Sequence, residues 1–247
     1  MTDRCGVYEL RRYALVPGRR DDLIELFDRC FVDSQEELGI RVVGQFRLRG
    51  DPDAFVWIRG FPDMESRARS LHAFYGESAA WRENRDAANA TMIAFDDVLL
   101  LRPAGRAPSF ALAPAERPGP DAPETDGGRI VAEISRFERT VGEDPVAAFE
   151  SKAIPVLRSN GVDPQALLVT EPAANTFREL PIREGENVIV WLAAFPDREA
   201  WVRAADGLRK DGAWERARAS AFAGARPKEV RILELEPTRR SLLRGRR

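Results

Sequence analysis

His72 and Tyr75 stand three positions apart in a stretch with helical periodicity, and they are the pair in this chain best suited to moving a proton. Residues three apart on a helix share a face, and imidazole has an ordinary pKa near neutral pH. His72 is also the single histidine among the 247 residues. The pair therefore predicts catalytic acid and base groups. The alternative is that a lone helical histidine lies at the surface and does no chemistry.

Two arginines, Arg11 and Arg59, are predicted to hold an anionic or carbonyl oxygen, because guanidinium groups form strong charge-assisted hydrogen bonds to such oxygens. Glu9, Arg11 and Tyr13 alternate along a predicted strand, so their side chains lie on one side of it. The predicted substrate-binding residues are Arg11, Arg59, Tyr8, Tyr13, Glu9, Trp81, Arg85 and Asn89. The structural alternatives are solvated arginines at strand edges, aromatic side chains in the core, or an arginine stacked on a tryptophan.

An internal repeat runs through the sequence. The stretch VWIRGFPDMES, residues 56–66, returns as VWLAAFPDREA, residues 190–200, with six of eleven positions identical. Trp57 recurs 134 positions later and Trp81 recurs 133 positions later, so one register persists through a whole helix with a single deletion. Such a register predicts a duplicated domain.

Comparison of the two copies separates what the fold requires from what one copy alone retains. Glu9 and Arg85 keep counterparts in Glu133 and Arg218, which favours structural roles. Several polar residues of the first copy are replaced by smaller or more apolar ones: Tyr8 by Ala132, Arg11 by Ser135, Tyr13 by Phe137, Arg59 by Ala193, His72 by Ala205, Tyr75 by Leu208 and Asn89 by Phe222. Because a buried polar group is costly unless it is paired, their retention predicts a ligand pocket in the first copy.

Each copy is predicted to hold elements in the order β-α-β-β-α-β, which is the ferredoxin-like unit. In the first copy, Asp63 is predicted to cap the second helix. Both helices cover one face of the sheet, so the other face needs a partner. The sequence therefore predicts an α+β fold, in which two tandem ferredoxin-like units with antiparallel sheets form a barrel, with closure inside one chain favoured.

The predicted boundaries are 1–103 for the first domain, 104–128 for a linker, and 129–247 for a second, divergent domain. Proline and glycine are concentrated in the linker and favour an extended segment, which Phe110 and Leu112 could attach to a surface. The chain ends in the basic tail RRSLLRGRR. This tail is predicted to be a solvated, frayed terminus rather than an anion-binding arm.

Six stretches of the first copy resemble the NIPSNAP family of the dimeric α/β-barrel superfamily: VYELRRYALVPGRRDDLIELF, VVGQF, FVWIRGFPDMESRAR, FYG, WRENRDAANATM and VLLLRP. The second half resembles a divergent copy, so the resemblance implies a dimeric α/β-barrel-type pseudo-dimer. It implies a fold more than a function. Barrels of the wider superfamily often hold a small ligand between sheet and helices, and they include cofactor-free oxygenases, isomerases and haem-binding enzymes.

Composition excludes several classes of partner. A net charge of −2 favours neither nucleic acid nor an anionic membrane. A strand-like segment already begins at Val7 and no apolar run approaches the length of a membrane span, which predicts a cytoplasmic protein with free thiols at Cys5 and Cys30. Metal-ligand spacings, phosphate loops and dinucleotide motifs are missing from the sequence, so neither a metal nor a cofactor is predicted.

Together these features favour a small-molecule-binding protein. In its most specific form it is a cofactor-independent enzyme of bacterial metabolism, of isomerase, oxygenase or lyase type, acting on a small anionic or carbonyl-containing metabolite. One alternative is a non-enzymatic scaffold that recognises a protein partner, and another is a haem-binding barrel with His72 as a lone axial ligand. Each of these functional alternatives is compatible with the association of two chains into a homodimer.

Overall fold

The computed structural model describes residues 5–105, 110, 117–124, 128–210, 212–223 and 225–245, and its elements fall into two units of similar order. The first unit contains β1 (Val7–Leu15), α1 (Arg20–Leu26), α2 (Val32–Glu37), β2 (Arg41–Leu48), β3 (Ala54–Phe61), α3 (Met64–His72), α4 (Ala79–Asn89) and β4 (Met92–Pro103). The second unit contains β5 (Arg129–Arg136), α5 (Glu143–Ala148), α6 (Ile154–Ser159), β6 (Pro164–Thr170), β7 (Val188–Phe195), α7 (Arg198–Lys210), α8 (Ala213–Ala221) and β8 (Glu229–Pro237).

Short π-helical turns interrupt several of these helices. One turn, Phe27–Phe31, joins α1 to α2, and its counterpart Phe149–Ala153 joins α5 to α6. Another turn, Ala73–Glu77, follows α3, whereas α7 of the second unit runs without such a turn from Arg198 to Lys210. Each π turn holds one more residue per hydrogen-bonded ring than an α-helical turn. The one-residue difference between the two repeat registers coincides with this turn of the first unit, which has no counterpart among the described residues of the second unit.

The strands close into one barrel within the chain, in the order β1-β3-β2-β8-β5-β7-β6-β4. Each unit contributes four consecutive strands of that order, and the units join through their edge strands. Phe46 of β2 lies opposite Pro237 of β8, and Leu101 of β4 lies opposite Thr170 of β6. The prediction of two tandem ferredoxin-like units that close within one chain is confirmed.

Alternation along β1 decides which side chains face the barrel interior. Tyr8 and Leu10 belong to the interior apolar cluster, which draws on strands of both units. Glu9, Arg11 and Tyr13 lie on the opposite face of the strand, beneath the helices, as successive side chains of a strand must. The outer face of β1 therefore carries the polar groups that the sequence singled out.

The first turn of α3 is capped as predicted. The Asp63 backbone is extended, with φ −160°, and its carboxylate accepts a hydrogen bond from the Ser66 amide at 2.6 Å. This cap satisfies an amide that has no partner within the helix, and it fixes the point at which α3 leaves β3.

The basic tail is docked, so the prediction of a frayed terminus is wrong for its described part. Arg240 donates to the Asp33 carboxylate at 2.6 Å and to the Asp28 carbonyl at 2.6 Å. Leu243 is 5% exposed and packs in the barrel-interior cluster. Paired charge and a buried leucine outweigh the chain entropy that usually frees a terminus. Residues 246–247 lie outside the described residues.

The linker stays a prediction over most of its length, because residues 106–109, 111–116 and 125–127, and with them Leu112, lie outside the described part. Phe110 is 5% exposed and packs edge-on against Tyr8, with ring centroids 5.1 Å apart. Within the described part of the chain, no helix combines the length and apolar character needed to cross a bilayer.

Candidate functional site

Glu9 accepts hydrogen bonds from three arginines on the outer face of the sheet. It lies directly opposite Arg59 in the pairing of β1 with β3, and Arg59 Nε donates to its Oε2 at 2.8 Å. Arg11, two residues along β1, donates from Nη1 to the same oxygen at 2.5 Å. Arg67 reaches down from α3 and donates from Nε to Oε1 at 2.6 Å. All four side chains have 0% exposure. These four residues are called the Glu9 cluster below.

The Glu9 cluster is not electrically neutral. Burial disfavours the charged carboxylate, but Arg59, Arg11 and Arg67 overcome that cost and hold the pKa of Glu9 far below its ordinary value. One carboxylate against three guanidinium groups leaves two positive charges in excess. The Arg59 guanidinium lies over the Trp57 ring at 4.9 Å, so an aromatic face compensates part of that charge. Buried Nη2 atoms of Arg11 and Arg67 have no hydrogen-bond partner among the described residues.

A cavity of about 400 Å³ adjoins the Glu9 cluster. Its walls come from strands β1, β3 and β4, from the helices and both π turns of the first unit, and from the β6–β7 loop of the second unit. Aromatic side chains dominate the lining, and they include Tyr13, Phe27, Phe31, Trp57, Tyr75 and Trp81. Cavities of this size and character are typical of small-molecule sites.

Two tyrosine hydroxyls connect the cavity to the Glu9 cluster. Tyr13 Oη accepts a hydrogen bond from Arg11 Nε at 2.9 Å, and Tyr75 Oη accepts one from Arg59 Nη1 at 3.2 Å. Because each hydroxyl accepts from an arginine, its own proton is available to donate to a ligand. Burial raises the pKa of Tyr75, and although Arg59 opposes this effect, the hydroxyl stays protonated at neutral pH.

Residues 8–108 match the model of the NIPSNAP family. The first unit is a NIPSNAP domain. The second half of the chain resembles a second, divergent copy of it. No curated protein matches the sequence at a significant level.

Several solved structures share the whole tandem architecture. A protein from Lactobacillus acidophilus NCFM, whose name proposes a monooxygenase, matches with a TM-score of 0.54 and 12% identity over 96% of this chain and 97% of that one. A protein from Fusobacterium nucleatum with a similar name gives 0.56 and 7% over 96% and 94%. An anthrone oxidase-like protein gives 0.53 and 13% over 99% and 98%. Identities this low show the fold alone.

The NIPSNAP domain brings most of the predicted site residues together, in two layers. The cavity lining includes Tyr13, His72, Tyr75, Trp81 and Asn89. Glu9, Arg11 and Arg59 form the layer behind the tyrosine hydroxyls. Their roles in binding or catalysis stay predictions.

Three of the predicted site residues are placed less favourably for contact with a ligand in the cavity. Tyr8 faces the barrel interior, because strand alternation puts it on the side of β1 opposite to Glu9. Arg85 is exposed on α4, with its Nε 3.4 Å from Asp86, and does not line the cavity. The His72 side chain is 72% exposed at the cavity mouth.

Sequence reasoning missed several polar residues of this site, among them Arg67, Gln35 and Glu179. Arg67 completes the Glu9 cluster, and the repeat held the signal for it, because Trp201 stands 134 positions later. Gln35 is 1% exposed and lines the cavity, and its Oε1 accepts from Arg59 Nη1 at 3.2 Å. Helical periodicity alone gave no reason to select Gln35.

The second unit keeps the glutamate of the NIPSNAP domain but not its arginines. Glu133 corresponds to Glu9, whereas Ser135, Ala193 and Trp201 stand where Arg11, Arg59 and Arg67 would be. Burial raises the pKa of Glu133, and Arg218, whose Nη1 is 3.9 Å away, does not reverse this effect.

Aromatic packing replaces the cavity in the second unit. Phe222, the counterpart of Asn89, is 1% exposed. Its ring lies 5.0 Å from Phe137, the counterpart of Tyr13, and stacks on Phe149 at 5.5 Å. The polar site is therefore a property of the first unit.

Proposed function

We propose that the NIPSNAP domain binds a small, largely aromatic molecule through an anionic or carbonyl oxygen. The single observation that carries this proposal is the pair of Tyr13 and Tyr75 hydroxyls at the cavity. Each accepts a hydrogen bond from a buried arginine of a cluster with excess positive charge. The ligand oxygen would accept a hydrogen bond from each tyrosine hydroxyl. The aromatic walls of the cavity would cover the apolar part of the ligand.

The excess charge of the Glu9 cluster supports an oxygen that is negative or becomes negative. Uncompensated buried charge is unfavourable, so a ligand that brings negative charge nearby gains more from this site than a neutral one does. The arginines act through the tyrosines, since Arg11 and Arg59 do not line the cavity. This arrangement polarises the hydroxyls as donors without opening the arginines to solvent.

The same geometry supports enzymatic chemistry without a cofactor. Donors fixed around a developing oxyanion stabilise it in a water-poor site. They would favour loss of a proton from a carbon next to a carbonyl, or from a phenol. His72 and Glu179 line the cavity, and one of them would accept that proton.

Among the three reaction types, oxygenation is the one that we put first. The folds shared with proteins named as monooxygenases and as an anthrone oxidase support this order. A balanced form of the reaction converts an activated CH2 group and dioxygen into a carbonyl group and water. The substrate itself supplies the electrons.

Matched ligands test the binding proposal. Isothermal titration calorimetry would compare 2-naphthol with its methyl ether, which cannot become anionic. We expect 2-naphthol to bind about fivefold more tightly, in line with about 1 kcal/mol for one net hydrogen bond, and Tyr75→Phe to remove most of that preference. Equal binding of the two compounds by the wild-type protein would sink the proposal. Oxygen uptake with a panel of phenols and β-diketones would test the enzymatic form.

The histidine and the tyrosines of this cavity do not favour the haem-binding alternative. His72 is the single histidine of the sequence, and its side chain is 72% exposed at the mouth, with Nε2 3.9 Å from Glu77. The hydroxyls of Tyr13, which is buried, and of Tyr75, which is half-buried, already accept hydrogen bonds from arginines. Among the described cavity residues, neither the histidine nor these two tyrosines therefore offers haem a buried, unengaged axial ligand.

A further inference from the structure

The connection between β6 and β7 is much longer than its counterpart in the first unit. Residues 171–187 join β6 to β7, whereas residues 49–53 join β2 to β3, a difference of 17 against 5 residues. A hairpin loop between two antiparallel strands needs only two to five residues. The extra length therefore serves something other than joining the strands.

This loop leaves its own unit and lies on the first one. The amide of Glu171 donates to the Leu100 carbonyl of β4 at 2.9 Å, and the amide of Arg183 donates to the Val98 carbonyl at 2.9 Å. Both ends of the loop are thus tied to β4 by backbone hydrogen bonds. The segment between them is held over the first unit.

The middle of the loop is fastened to the Glu9 cluster. Arg67 donates from Nη1 to Asn175 Oδ1 at 3.1 Å and to Thr176 Oγ1 at 3.0 Å, while its Nε donates to Glu9. The Asn175 side chain also donates to the Leu180 carbonyl at 2.9 Å and accepts from the Phe177 amide at 3.1 Å. Arg67 therefore links the conformation of the β6–β7 loop to the buried Glu9 cluster.

The loop inserts an aromatic ring into the cavity wall. Phe177 is 9% exposed, and its ring stacks on Tyr75 with centroids 5.8 Å apart and planes inclined by 30°. Leu180 and Glu179 line the same cavity. Tyr75 is the residue proposed above to bind the ligand oxygen, so Phe177 lies beside that position.

We infer that the β6–β7 loop of the second unit is the closing wall of the first unit's cavity, and that Phe177 sets the size of the aromatic ligand admitted. This inference rests on the proposed function for its ligand. The second unit, whose own site is filled by Phe222, thus serves the site of its neighbour.

Selectivity would be measured with 4-cresol, a one-ring phenol, and 9-phenanthrol, a three-ring phenol. In Phe177→Ala, the affinity ratio of phenanthrol to cresol should rise about tenfold, because removing the ring enlarges the cavity. Phe177→Leu is a milder variant in case the alanine variant fails to fold, and it should shift the ratio in the same direction. Arg178→Ala, an exposed neighbour that does not line the cavity, should leave the ratio unchanged. An unchanged ratio in folded Phe177 variants would overturn the size-selecting role.

A ligand-free measurement keeps the two proposals separable. Hydrogen exchange of the Ala73–Glu77 turn, read by mass spectrometry, should be at least several-fold faster in Phe177→Ala and in Asn175→Ala than in wild type or Arg178→Ala. Exchange that is the same in all four proteins would overturn the closing-wall role. If the wild-type protein binds neither phenol, the proposed function fails, and the exchange experiment still decides whether the loop closes the cavity.

Discussion

Tyr75 accepts a hydrogen bond from Arg59 at 3.2 Å, and Arg59 in turn donates to Glu9 at 2.8 Å. Through this chain of hydrogen bonds, a cavity hydroxyl responds to a fully buried charge cluster. Polarised donors of this kind strengthen one another in a low-dielectric interior.

Replacing Tyr75 by phenylalanine should weaken the binding of a phenolate ligand about tenfold while changing the free energy of unfolding by less than about 1 kcal/mol. Arg59 keeps Glu9 and Gln35 as acceptors, so the cluster survives the substitution. Titration calorimetry and urea unfolding would measure the two effects. Tyr8→Phe makes the same chemical change on the barrel interior and should leave ligand affinity unaltered. A large loss of stability in Tyr75→Phe with affinity intact would assign the residue a structural role.

Neutralising Glu9 should destabilise the protein strongly. Glu9→Gln leaves three buried guanidinium groups without their carboxylate, and breaking a buried pair in this way costs about 3–5 kcal/mol. Glu133→Gln in the second unit is the matched control. Burial raises the pKa of Glu133, so loss of its charge should cost little or stabilise the fold. Urea unfolding of both variants would compare them, and equal losses would contradict the charge assignment of the Glu9 cluster.

The response of stability to acid should include a contribution from Glu9. Its folded-state pKa lies far below the ordinary value of about 4.3. A depressed pKa means that the unfolded chain binds the proton first, so this contribution is present above about pH 4.5 and is lost as pH falls through the folded-state value. The difference in stability between wild type and Glu9→Gln, measured from pH 7 to pH 3, should therefore shrink with acidification. A constant difference would contradict the prediction.

Asp28, which lies beneath the C-terminal tail, should change the stability of the protein with pH in the direction opposite to Glu9. Burial raises its pKa to about 6, although Arg239 and Arg240 oppose the effect. The folded protein therefore binds this proton more readily, and stability should rise as pH falls through about 6 towards about 4, where the unfolded chain binds the proton as well. Asp28→Asn should remove that rise and add about 2–3 kcal/mol at pH 8, at 1.36 kcal/mol per pKa unit. A variant no more stable than wild type at pH 8 would refute the burial argument.

Docking of the tail can be tested with neighbouring leucines. Leu243 is 5% exposed, and Leu243→Ala should cost about 2–4 kcal/mol by leaving a cavity among interior residues. Leu242 is only half-buried, so Leu242→Ala should cost less than about 1 kcal/mol. Thermal and urea unfolding would rank the two variants. Equal small losses would show that the tail adds little to the stability of the barrel.

Local patterns were enough to predict the order of strands and helices, because strand alternation and helical spacing depend only on residues that are close together in the sequence. Barrel closure could also be predicted, since the repeat supplies a second sheet with the same exposed face. Arg67 was missed because its acceptor, Glu9, lies 58 positions away and only the path of α3 brings them together. Stacking of Phe177 on Tyr75 likewise depends on where a loop travels after leaving its own unit. The docked tail was missed because its charges suggested solvent, whereas Arg240 finds Asp33 across the fold.

Joining both halves of the barrel in one polypeptide has an evolutionary consequence. In a symmetric homodimer, every substitution appears in both sites at once, so a phenylalanine that fills one hollow would fill the other. In this chain each half is encoded separately, and Phe222 could arise on one side while Asn89 stayed on the other. Because each half is encoded by its own stretch of sequence, one half can keep the polar cavity while the other half changes independently.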